Sequence, residues 1–444
     1  MLPEFNALLD EALRLAAGTP LEEKLTAWAA RWRGQPWRVL TSGLCSVGKS
    51  SFVCALWGDS ELLPTAVRDC TQTNTLIRVP RPGEDDHRIL LANLTRERAL
   101  DFATRSLAYY RLHALLAESL GPAAAKLDEG LPEQRLRAVT AGVRKLFAER
   151  ADILVLHEHL SDEIDQLEQF LEFLDSPGFR PGETSAARWE DRREHLMGLR
   201  RPDGRTLDVG KLLALQHVEM VRASEKPWGA AAEAPPELID SPWIPTYHNA
   251  RRTDLILEQA RAVDILVLVT LPEKFELEEW VTKIYRERPE LLRQTLVVFN
   301  QVDTIDIPQL FARGGFAQIF DENREKLVRL GFDPENLLIS CARLPFLEGT
   351  PRDAFLAERA QKLRKLLERI GSAAQGRPDG LFKSRLLAAC DLRDAGIETI
   401  RRRLVELYHG PVLRRAMGEA LKLIENVDAL RPRAEALREK VKAR

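Results

Sequence analysis

Apolar residues recur at helical spacing through residues 3–33. Phe5, Leu8, Leu9, Leu13 and Leu15 fall near one stripe, and Gly18-Thr19-Pro20 divides the stretch into two helices. The run Trp37 to Thr41 then reads as a short buried strand. A loop from Ser42 to Gly48 follows, and it opens a helix from Lys49 to Trp57. Thr75 to Val79 and Arg88 to Leu91 are strand-like. From about Thr95 to Arg201 the pattern is helical and charged, with breaks at Gly121-Pro122, Gly130 to Pro132, and Ser176 to Gly182. This block reads as a helical insert. Strands return at Val218 to Arg222, Glu237 to Ile239, Asp264 to Thr270, Thr295 to Asn300 and Asn336 to Ser340. The runs Ile265-Leu266-Val267-Leu268-Val269 and Leu296-Val297-Val298-Phe299 carry no polar alternation. Strands buried on both faces read that way, so the expected sheet is mostly parallel and covered by helices. After Arg343 the chain is helical to its end, with breaks near Gly371 to Gly380 and at Gly410-Pro411. The fold class is α/β, with a mixed, mostly parallel sheet, a helical insert and flanking terminal helices.

Composition narrows the function classes. The 444 residues are 45% hydrophobic and 30% charged, as in ordinary globular proteins. Lys and Arg total 65 against 67 Asp and Glu, a net charge of −2. That balance argues against a sequence-independent nucleic-acid binder, which needs a basic surface. No stretch reaches the ~18 apolar residues of a membrane span. The N-terminus carries Glu4 and Asp10 and lacks a basic, signal-like start. Five cysteines without paired spacing read as free thiols in a reducing cytosol, so the expected localisation is cytoplasmic.

The chemistry begins at Gly43-Leu44-Cys45-Ser46-Val47-Gly48-Lys49-Ser50, a complete GxxxxGKS followed by Ser51, set between a strand and a helix. Glycines let the backbone wrap a phosphate with its N–H groups, and the helix adds the positive end of its dipole. In such a loop Lys49 reaches the β- and γ-phosphates and the Ser50 hydroxyl ligates Mg2+. Three further elements follow in chain order. Leu238-Ile239-Asp240-Ser241-Pro242-Trp243 resembles the DxxG element, whose Asp holds a Mg2+-bound water. Asn300-Gln301-Val302-Asp303 resembles the [NT]KxD guanine element. A carboxylate at Asp303 would accept guanine's N1–H and 2-amino protons; adenine offers neither, and the charge would go unpaired. Ser340-Cys341-Ala342 resembles the element that braces the guanine carbonyl with a backbone amide. Their order favours GTP and GDP over ATP.

These residues carry a family resemblance. Leu63-Pro64-Thr65-Ala66-Val67-Arg68-Asp69-Cys70-Thr71 is similar to the first switch of dynamin-like GTPases, especially the bacterial ones. Ser50-Ser51, Val218-Glu219-Met220-Val221, Ile239-Asp240-Ser241-Pro242 and Gly396-Ile397 at the head of a helix to Tyr408 look like the same family. The resemblance covers residues 36–409, interrupted by the insert at about 95–205. It implies a hydrolase in which Thr71 ligates Mg2+ and orients the attacking water. Ser46 would help hold a charge-compensating K+ or Na+. Asp240 would act on Mg2+ through water. It also implies a neck built from helices in 1–35 and 410–444, and dimerisation through the nucleotide face, with a second copy or a companion dynamin-like chain. The 35 residues after the core are too few for a dynamin stalk and membrane paddle, so any membrane contact is expected to be peripheral. Four positions depart from the pattern. Cys45 stands where many dynamins carry Gln, Trp243 replaces the Gly of DxxG, Gln301 replaces Lys, and Asp69 stands where Pro is usual. They imply retained binding with slow hydrolysis. The alternative is a slow or inactive GTP-dependent module that binds a partner protein through its insert.

Other features read more plainly. His157 and His159 are two residues apart and point to different faces of a helix, so they make no metal pair. The charged residues of 125–205 read as solvated helix faces. The basic end, with Arg438, Lys440, Lys442 and Arg444, suits a helix C-terminus.

Overall fold

The strands are β1 (Arg38–Ser42), β2 (Asn74–Arg78), β3 (Arg88–Asn93), β4 (Thr184–Ala187), β5 (Leu215–Val221), β6 (Glu237–Asp240), β7 (Ile265–Thr270), β8 (Thr295–Phe299) and β9 (Leu337–Ile339). In this computed structural model they form one sheet in the order β4-β3-β5-β2-β6-β1-β7-β8-β9. The structure describes residues 1–34, 36–43, 46–63, 74–121, 127, 129–191, 214–224, 228, 235–242, 250–271, 279–302, 315–347, 351–369 and 379–443.

The ladder from β6 through β1, β7 and β8 to β9 is parallel throughout. All residues of β7 and β8 are buried, as their unbroken apolar runs require. The second part of the sheet is mixed. β2 runs antiparallel to β6 and parallel to β5, while β3 runs antiparallel to both β4 and β5. A parallel ladder places every strand's carboxyl end on one edge. That edge therefore carries the loop after β1, Asp240 at the end of β6, Asn300 after β8 and Ser340 after β9.

The helices are α1 (Leu2–Ala16), α2 (Glu22–Gly34), α3 (Lys49–Trp57), α4 (Arg96–Thr104), α5 (Leu107–Leu120), α6 (Pro132–Glu149), α7 (Ala151–Leu156), α8 (Ser161–Asp175), α9 (Ala250–Ala262), α10 (Glu279–Glu287), α11 (Phe316–Arg329), α12 (Pro351–Arg369), α13 (Asp379–Ala389), α14 (Ile397–Leu407), α15 (Leu413–Ile424) and α16 (Arg431–Lys442). Among the described residues three hydrophobic cores result. The largest packs α3 and α14 against the sheet, with Phe52, Leu56, Leu266, Val298 and Leu404 inside it. A second is built mainly from the helices after β3 and includes Leu112, Leu136, Val139, Ile164 and Phe170. The third joins the two ends of the chain, where Phe5, Leu9 and Leu25 meet Leu421, Ile424 and Leu437. Lys440 to Glu4 and Arg433 to Glu11 link the same helices at their surface.

Three expectations need correction. The block read as a helical insert also contains β4, a strand not expected there, whose Thr184–Ala187 backbone pairs with β3. Its residues alternate between exposed and half-buried, so the segment carries no apolar signal. Leu15 lies off the buried face of α1 and is 40% exposed. Gly410-Pro411 does not break the chain's helix. Residues Tyr408–Val412 form a π turn that carries α14 on into α15. Widening the turn accommodates a proline, which has no N–H to donate. Trp37 stacks on Tyr408 at that turn, with ring centroids 4.7 Å apart.

Candidate functional site

The phosphate-loop motif sits where β1 gives way to α3. Gly43 and Gly48 have φ of 150° and 81°. A Cβ on Gly43 would lie 1.9 Å from the Val269 carbonyl oxygen, and one on Gly48 would lie 2.6 Å from Asn300 Nδ2. Both positions therefore require glycine twice over, for backbone conformation and for space. Ser46 also has a positive φ, 58°, and is exposed at the loop's crown, while Val47 is buried beneath it. Lys49 is buried, and its Nζ donates to the Gly43 carbonyl at 3.0 Å, so the ammonium lies back along the loop.

Ser50 and Ser51 occupy the first turn of α3. The Ser50 hydroxyl donates to Asp240 Oδ2 at 2.8 Å. Asp240 is completely buried at the end of β6. A hydroxyl and a carboxylate side by side at a helix N-terminus are hard oxygen donors. Mg2+ is held by few such protein oxygens, the rest of its octahedron coming from phosphates and water. The pair fits that ion. Among the described residues no group of three or more His, Cys, Asp or Glu side chains gathers as a metal site.

Two amides tie the β8 end to the phosphate loop. Asn300 is buried, and its Nδ2 donates to the Val47 carbonyl at 2.9 Å; its Oδ1 accepts from Ala342 N at 3.1 Å. One side chain thus joins the phosphate loop to the loop after β9. Gln301 holds a left-handed backbone, φ 60°, and its Nε2 donates to the Ser46 carbonyl at 2.8 Å. Beyond β9, Ser340 Oγ and Cys341 N both donate to the Ala395 carbonyl, at 3.1 and 3.2 Å. The amides of Cys341 and Ala342 are thus both engaged within the chain.

The described residues Gly43, Ser46, Val47, Gly48, Lys49, Ser50, Ser51, Asp240, Asn300, Gln301, Ser340 and Cys341 therefore lie at the sheet's carboxyl edge, in the loops after β1, β8 and β9, the first turn of α3 and the end of β6. Cys45, Asp69, Cys70, Thr71, Trp243 and Asp303 lie outside the described residues. The structure adds residues that the motifs do not contain. Thr41 and Thr75 flank Asp240 in the sheet. Arg401 donates from α14 to the Ala55 and Leu56 carbonyls at the far end of α3, at 2.7 and 2.9 Å. A hydroxyl near the end of an apolar strand was a visible signal for the threonines; nothing local marks Arg401. Cys54, within α3, is fully buried, and desolvation pushes its thiol up to about 12.

No protein-family model and no curated protein matches the sequence. Solved structures similar to the chain include two, each described as an oligomerised bacterial dynamin pair that provides a mechanism for the long-range sensing and tethering of membranes. The first is 12% identical with a TM-score of 0.45, and the second 12% identical with a TM-score of 0.41. The matches cover 100% and 99% of this chain but 57% and 50% of theirs, so the chain spans about half the length of these structures.

Proposed function

We propose that the protein binds GTP and GDP with Mg2+ and hydrolyses GTP slowly, as a dynamin-like GTPase. The observation that carries this reading is the Ser50–Asp240 hydrogen bond, 190 residues apart in sequence and 2.8 Å in space. It joins the hydroxyl of the phosphate loop to the carboxylate of a second motif, a pairing that suits a phosphate-bound divalent cation. Bound Mg2+ would supply charge neutralisation on the phosphate oxygens. The chain's own part is positional. In this reading the glycine-bounded loop would present backbone N–H groups to phosphate, Lys49 brings a buried cation, and Asn300 ties Val47 to Ala342 in the loop after β9. Guanine selectivity in this reading rests on Asp303, hydrolysis on Thr71 with Ser46, and a K+ or Na+ ion would serve as charge-compensating cofactor. A nucleotide-dependent homodimer, or a pair with a companion dynamin-like chain, would form across the same face, with membrane contact at most peripheral.

The test is calorimetry with GTP, GDP and ATP in Mg2+, followed by steady-state turnover with and without K+. Guanine nucleotides should bind and ATP should not, and Lys49→Ala should abolish binding. Equal affinity for ATP and GTP would overturn the guanine assignment. Light scattering with GDP and aluminium fluoride tests the dimer.

A second reading has one observation in its favour. In the helical block, Val155 and Leu156 of α7 are 77% and 73% exposed. Adjacent exposed aliphatic residues suit a slow or inactive nucleotide-dependent module that binds a partner through its insert. Turnover that stays at background while nucleotide binding persists would support it.

A further inference from the structure

Asp240 has a threonine on each side. In the parallel ladder Thr41 of β1 is its register partner, and in the antiparallel ladder Thr75 of β2 is. Directly paired residues place their side chains on the same face of a sheet. Thr41, Asp240 and Thr75 therefore form a polar row across three strands, and all three are 0% exposed. Ser50 approaches that row from α3, through its bond to Asp240 Oδ2. The row ends where polarity ends, since the next residues outward are Val267 beside Thr41 and Val218 beside Thr75.

Neither threonine hydroxyl has a hydrogen-bond partner among the described residues. Valine has the same shape, is favoured in strands and would carry no polar atom to satisfy. Two buried hydroxyls beside one buried carboxylate are therefore costly unless something occupies them. A buried water typically makes about three hydrogen bonds to polar groups, and Thr41, Thr75 and Asp240 offer that number.

We propose that Thr41 and Thr75 are positioning residues of the Mg2+ site, holding ordered water against Asp240 and so fixing its carboxylate toward the cation's hydration shell. This rests on the nucleotide-binding reading above. Neither residue touches nucleotide or metal. Each acts through Asp240, as outer hydrogen-bonding groups act on metal ligands elsewhere.

The experiment uses the full chain loaded with GDP and follows Mn2+ binding by electron paramagnetic resonance. Thr41→Val and Thr75→Val should each weaken Mn2+ by roughly tenfold or more. GDP affinity in EDTA and the metal-free melting temperature should stay at wild-type values. Thr41→Ser and Thr75→Ser keep the hydroxyl and should retain wild-type Mn2+ affinity. They also keep the test open if a valine variant folds poorly. Valine variants that bind Mn2+ as the wild type does would overturn the proposal, as would serine variants that lose as much as valine. A wild type that binds no GDP would instead sink the functional reading, and this proposal with it.

Discussion

The Arg401 guanidinium donates to the Leu56 carbonyl at 2.9 Å, so the last turn of the phosphate-loop helix is capped by a side chain 345 residues downstream. A second of its nitrogens, Nη2, donates to Ala55 O at 2.7 Å. Burial lowers the pKa of this guanidinium, and nearby Glu398 offsets part of that shift. Arg401→Met keeps the length and removes the donors. It leaves two buried carbonyls without a partner, at ~1–3 kcal/mol each. The expected result is a clear fall in the urea midpoint, with Arg401→Lys between variant and wild type.

Asn300→Leu tests the bridge between loops. It removes the bonds to Val47 O and Ala342 N while nearly preserving volume. Loss of about 2 kcal/mol of loop ordering would raise the GDP Kd by roughly 30-fold. Calorimetry should show this with little change in melting temperature, because the strand itself remains packed.

His217 gives a pH dependence. Desolvation in β5 is the main cause of its lowered pKa, Arg38 lowers it further, and Glu219 opposes them. The folded state therefore resists the proton, while the unfolded chain takes it up near 6.5. Stability contributed by the neutral ring is present above that value and is lost as pH falls from 6.5 toward the lower folded pKa. Denaturant midpoints at pH 7 and pH 5.5 should differ more in wild type than in His217→Asn.

Phe5 probes the terminal bundle. It is fully buried and meets Trp28 and Trp32 edge-on, at centroid distances of 5.8 and 5.2 Å. Phe5→Ala should cost about 3–5 kcal/mol of local packing. Hydrogen exchange should accelerate in α1, α2, α15 and α16. Because the core around the sheet is separate, GDP affinity should be unchanged.

Cys54 should resist modification. With its thiol pushed up to about 12 and buried, it carries almost no thiolate at pH 8. Mass spectrometry after iodoacetamide treatment of the native protein should find Cys54 unlabelled, and labelled after unfolding in denaturant.

The sequence alone determined what depends on short segments. Ile265 to Val269 announced a strand buried on both faces, because nothing in it could face water. Gly43 to Ser50 announced a glycine-dependent turn from β1 into α3, and the positive φ of Gly43 and Gly48 requires those glycines. Tertiary structure decided what depends on pairing between distant segments. β4 carries no periodic signal, and only the open edge of β3 makes Thr184–Ala187 a strand. The break expected at Gly410-Pro411 became a π turn because the helix on either side is held by two different cores. The motif pattern already singled out Asp240, but only the sheet placed Thr41 and Thr75 beside it, and only α3 brought Ser50 to 2.8 Å. Local sequence fixes propensity and chemistry, whereas register and burial are settled by contacts that only the folded chain makes.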